Sequence, residues 1–79
     1  MQNQFDIISN NLGYLYIDMG DYTQAETYLL EAKIILEKTL LPDYTAVLNN
    51  LGKLYEKSGD YAKSEKYYLE LNAILEKSF

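Results

Sequence analysis

Residues 49–61 read Asn49-Asn50-Leu51-Gly52-Lys53-Leu54-Tyr55-Glu56-Lys57-Ser58-Gly59-Asp60-Tyr61. Thirty-nine residues earlier the chain reads Asn10-Asn11-Leu12-Gly13-Tyr14-Leu15-Tyr16-Ile17-Asp18-Met19-Gly20-Asp21-Tyr22. Laid on itself at this shift, the stretch from Asn10 to Leu40 keeps 17 of 31 residues. The identities continue through Glu26, Tyr28, Leu30 and Glu31 to the run Ile35-Leu36-Glu37-Lys38. The chain is therefore an internal duplication, and its period of 39 lies in the range of two-helix repeats.

Each unit reads as two helices. Ile8, Leu12, Leu15 and Met19 form one apolar stripe at helical spacing. Gly20 supplies the left-handed position that ends a helix, and Asp21 is a good N-cap for the next. Gln24, three residues on, makes a capping-box-like pair with Asp21. Ala25, Leu29, Ala32 and Leu36 repeat the stripe on the second helix. The second unit copies the design with Val47, Leu51, Leu54 and Ser58, then Gly59-Asp60, then Ser64, Tyr68, Leu71 and Leu75. Pro42 falls just before or at the start of the third helix, where its missing N–H costs little. The predicted helices are near 5–19, 22–39, 43–58 and 61–77. Gly13 and Gly52 stand inside them, although a helical Gly costs about 1 kcal/mol against Ala. Their recurrence predicts close helix crossings, with Ala25 and Ser64 as the small residues opposite.

Composition narrows the chemistry. The 79 residues allow one small domain, and a hydrophobic share of 48% supports a folded core. Seven basic residues, all Lys, face twelve acidic ones, so the net charge is −5. No basic stripe stands out, which argues against nucleic acid and anionic membranes as partners. There is no Cys, His or Arg. Disulfides, thiolate nucleophiles, the commonest general base and the bidentate phosphate fork are all missing. Apolar runs are no longer than a few residues, far short of a span, and no signal peptide is visible. A soluble, cytoplasmic, non-enzymatic protein without metal or cofactor is expected.

The repeated motifs resemble a tetratricopeptide repeat, over about residues 5–79. Leu12-Gly13 and Leu51-Gly52 match the family's leucine–glycine pair, and Tyr16 and Tyr55 its following tyrosine. Gly20-Asp21-Tyr22 and Gly59-Asp60-Tyr61 match its turn, and Ala25, Ser64 and Ala32 its small residues. The phrases Asn49-Asn50-Leu51-Gly52, Gly59-Asp60-Tyr61-Ala62 and Tyr68-Leu69-Glu70, with the linker Leu41-Pro42-Asp43-Tyr44, look like the kinesin-light-chain type. The linker is about three residues shorter than that type usually has. Ser9 and Leu48 stand where many members carry a large aromatic, and Leu71 where Ala32 stands in the first unit.

The resemblance implies an all-α fold: two helix-turn-helix repeats, four antiparallel helices, stacked as a short right-handed superhelix. One domain is expected, with repeat one about 5–40 and repeat two about 44–79. The implied function is a scaffold that binds a peptide or protein segment on the concave face of the first helices. Asn11 and Asn50 match the Asn that often grips a bound peptide's backbone. Asn10, Asn49, Tyr14, Lys53 and Lys57 would extend that groove, with Ile17, Asp18 and Glu56 continuing the surface. Tyr16, Tyr22, Tyr55 and Tyr61 recur with the repeat and read as packing residues. The alternative is a self-assembly unit or a piece of a longer array. In that reading a homodimer forms through the C-terminal helix, whose outer face would offer Tyr67, Leu71, Ile74 and Phe79.

Overall fold

The computed structural model describes residues 4–37 and 41–77. Four helices follow one another: α1 (Gln4–Met19), α2 (Tyr22–Leu36), α3 (Leu41–Ser58) and α4 (Tyr61–Lys77). Helix α1 packs on α2 and α3 on α4, making two hairpins. The hairpins join where α2 packs on α3, and α1 also touches α3.

Both hairpin turns are built alike. Gly20 and Gly59 adopt φ of 80° and 91°, which only Gly tolerates without strain. Asp21 N–H donates to the Tyr16 carbonyl and Gly20 N–H to that of Ile17, at 2.9 and 3.0 Å. Asp60 and Gly59 repeat the pair on Tyr55 and Glu56 at 2.8 and 3.3 Å. This is the Schellman arrangement that satisfies the last carbonyls of a helix. Each Asp then caps the next helix. The Asp21 carboxylate accepts from Gln24 N–H and that of Asp60 from Lys63 N–H, both at 3.2 Å. Helix α2 ends at Leu36, with Glu37 as its C-cap. Helix α3 begins at Leu41, two residues earlier than expected. Pro42 fits its first turn, and Asp43 there complements the positive end of the helix.

The core sits on the seam between the hairpins. Ala25, Leu29, Ala32 and Leu36 of α2 and Val47, Leu48, Leu51, Leu54 and Tyr55 of α3 are all buried. From α1 and α4 only Ile17 and Tyr67 join this apolar cluster as fully buried members. The expected stripe on α1 is therefore not a core stripe: Ile8 is 52% exposed and Leu15 49%. Helix α1 turns Ser9, Gly13 and Ile17 inward instead. The reason lies in the neighbours. Val47, Leu51 and Leu54 hold the same repeat positions on α3 and are covered because α2 precedes α3. Among the described residues, none takes the corresponding place beside α1.

Close approach appears where the interior Gly residues predict it. A Cβ on Gly13 would lie 2.5 Å from Leu29, and one on Gly52 would lie 2.6 Å from the Tyr68 ring. Ser64 Oγ donates to the Gly52 carbonyl at 2.8 Å, so Ser64 both fits the crossing and uses its hydroxyl there. Ser9 is as deeply buried, but its hydroxyl has no hydrogen-bond partner among the described residues.

Candidate functional site

The first helices of the two units lie side by side, and the Asn-rich positions meet between them. Asn50 Nδ2 donates to Asn10 Oδ1 at 2.9 Å. One turn further along, Lys53 Nζ lies 5.5 Å from the centroid of the Tyr14 ring, over its negative face. Asn11 and Asn49 are exposed beside this pair, and Lys57 is exposed near the end of α3. Asn11, Tyr14, Asn49 and Lys57 are exposed, and Asn10 and Lys53 are half-buried. Asn50 differs from them. It is 9% exposed and its amide is committed to Asn10, so it clasps the two helices together. Asp18 is exposed, whereas Ile17 is buried in the core and does not continue the surface. Glu56 is exposed and accepts a long 3.4 Å bond from the Tyr68 hydroxyl.

Tyrosine hydroxyls hold the helices in register. Tyr44, near the start of α3, donates to Glu70 on α4, while Lys33 of α2 lies 5.8 Å over its ring. Tyr55, near the end of α3, donates to Glu26 on α2 at 2.7 Å. Burial raises the pKa of both hydroxyls well above the ordinary value of 10.0, and the hydrogen-bonded carboxylates raise it further. Tyr68 moves the same way, first through burial and then through Glu56. Two ring stacks recur at the repeat distance. Tyr16 and Tyr28 lie 5.6 Å apart, and Tyr55 and Tyr67 lie 5.7 Å apart.

The burial of individual tyrosines corrects two expectations. Tyr67 is 8% exposed and belongs to the core, so it is not an outward self-association residue. Tyr61 is 70% exposed and is not a packing residue. Leu71 and Ile74 are half-buried and pack against the core cluster, which leaves them only partly available outside. Phe79 lies outside the described residues. The Glu26–Tyr55 and Asn10–Asn50 bonds are not visible in single-helix spacing. All four of these residues are retained across the duplication, and that retention was the available signal.

A cleft of about 150 Å³ opens at the seam, lined by Tyr22, Thr23, Leu54 and Ser58 around the Glu26–Tyr55 bond. That is below the several hundred Å³ of an ordinary small-molecule site. Among the described residues there is no group of three metal-ligating side chains, and no helix is long and apolar enough to cross a membrane.

Two tandem hairpins with these turns define a helical-repeat protein. Comparison with protein families matches residues 5–77 to the tetratricopeptide repeat, and the chain belongs to that family. Neither the curated proteins nor the solved structures yield a match. Tetratricopeptide repeats generally mediate interactions between proteins, and the family is of a non-enzymatic scaffold type.

Proposed function

We propose that the chain is a single interaction domain of two repeats, about 5–40 and 44–79, that holds an extended peptide across α1 and α3. The observation that carries this reading is the Asn10–Asn50 clasp, flanked by exposed Asn11 and Asn49 and by the Lys53–Tyr14 pair. A carboxamide donates and accepts at once, so Asn11 and Asn49 suit a peptide backbone, which offers both kinds of group. Tyr14 adds an exposed ring, and Lys53 and Lys57 add positive charge to a chain of net charge −5. The matching partner is an acidic or mixed segment in extended form. The stacking of the hairpins as a right-handed superhelix would make this face concave.

The test is selection of binders from a displayed peptide library, followed by affinity measurement with variants. Asn11→Ala and Asn49→Ala should each weaken a selected peptide by about 1 kcal/mol, while the melting temperature stays within error. Asn50→Ala should instead lower stability by about 1 kcal/mol, because it orphans Asn10. Full affinity in the Asn11→Ala, Asn49→Ala double variant would reject the reading.

A further inference from the structure

The duplication leaves two end faces that repeat the two sides of the internal seam. Leu54 on α3 is 1% exposed, while Leu15, its counterpart on α1, is 49% exposed. Leu36 on α2 is 2% exposed, while Leu75, its counterpart on α4, is 44% exposed. The same side chain at the same repeat position is covered inside the molecule and open at its end. Each open face thus has the apolar pattern of a face for which the chain already holds a partner.

The polar bonds across the hairpin junction repeat as well. Tyr55 Oη donates to Glu26 across the α3–α2 seam. Moved by one repeat, the same pair is Tyr16 and Glu65, a half-buried tyrosine on α1 and an exposed carboxylate on α4. Asn50 donates to Asn10 across α3 and α1. Its repeat is Asn11 with Asn49, both exposed. Lys53 lies over Tyr14, and positions 14 and 53 are themselves one repeat apart. Their pairing therefore regenerates a lysine–tyrosine contact with the roles exchanged. Both members of each pair are present in one chain, yet only an α1 placed against an α4 brings the first pair together.

We infer that a second copy of this chain stacks head to tail, its α1 covering α4 of the first as α3 covers α2 within one molecule. The contact is continuous in pattern with the internal seam and unites Ile8 and Leu15 of one copy with Leu75 of the other. It is heterologous: the two copies use different faces, so each stacked pair still presents one free α1 face and one free α4 face. The row of Asn side chains on the first helices continues from one copy into the next. A dimer formed by two α4 faces would use neither the Tyr16–Glu65 nor the Asn11–Asn49 pairing.

Sedimentation equilibrium of the full chain over micromolar to millimolar concentration tests this, with Leu15→Glu and Leu75→Glu. Both positions are exposed, and a helical far-UV spectrum with cooperative melting checks that each variant folds. The parent's average mass should rise with concentration beyond two chains. Each variant alone should remain at the mass of one chain. An equimolar mixture of the two should reach the mass of two chains and stop, because one supplies an intact α4 face and the other an intact α1 face. A parent that stays monomeric overturns the inference, as does a Leu15→Glu variant that still dimerises alone, which would mark an α4-to-α4 contact. A folded mixture that remains monomeric overturns it too.

Discussion

At the scale of the residue, the two interior Gly residues do unequal work. Both sit where an added Cβ would overlap a neighbour, at 2.5 Å for Gly13 and 2.6 Å for Gly52. The neighbours differ in freedom. Leu29 is fully buried and has nowhere to go, whereas Tyr68 is half-buried and can swing its ring outward. Gly→Ala gains about 1 kcal/mol of helix propensity in either case, against an overpacking cost of about 1–3 kcal/mol. Gly13→Ala should therefore destabilise by about 1–2 kcal/mol, while Gly52→Ala should be nearly neutral. Urea denaturation of the two variants measures the difference, and equal losses would mean the rings and side chains yield alike. The Gly positions were legible because they recur at a spacing that a helix does not favour. The partners of Asn50, Tyr55 and Tyr67 were not, since single-helix spacing does not say which side chain of another helix lies opposite.

At the scale of the element, coverage decides what an apolar stripe is worth. Val47, Leu51 and Leu54 were expected on one face of the third helix, and they form it. Ile8, Leu12 and Leu15 have the same spacing, yet α1 buries Ser9, Gly13 and Ile17. Periodicity reports that a face is apolar, not whether another element covers it, so the sequence alone could not separate the two helices. A paired substitution reads this directly. Leu54→Ala should cost about 2–4 kcal/mol, as removal of a buried leucine does, while Leu15→Ala in dilute solution should cost under about 1 kcal/mol. Thermal unfolding of both variants at one low concentration is the measurement. The turns were the most legible parts of all, because Gly20 and Gly59 need positive φ and each following Asp caps a helix.

At the scale of the whole molecule, the tyrosine bonds tie stability to alkaline pH. Tyr44 joins α3 to α4 and Tyr55 joins α3 to α2, and both hold their protons above the ordinary value of 10.0. Their contribution is complete below about pH 10, where folded and unfolded tyrosines are both protonated. Above it the unfolded chain releases these protons first, so stability falls as pH rises. Denaturation midpoints should be flat on the neutral side of that value and decline beyond it, and Tyr44→Phe with Tyr55→Phe should make the decline shallower. An unchanged slope in the double variant would show that these bonds do not set it.

The proposed function places the partner on the face shared by α1 and α3. Amide chemical-shift mapping with a library-selected peptide tests it most directly. The largest shifts should fall at Asn11, Tyr14, Asn49, Lys53 and Lys57. Shifts confined to the outward surfaces of α2 and α4, with those five residues unmoved, would contradict it.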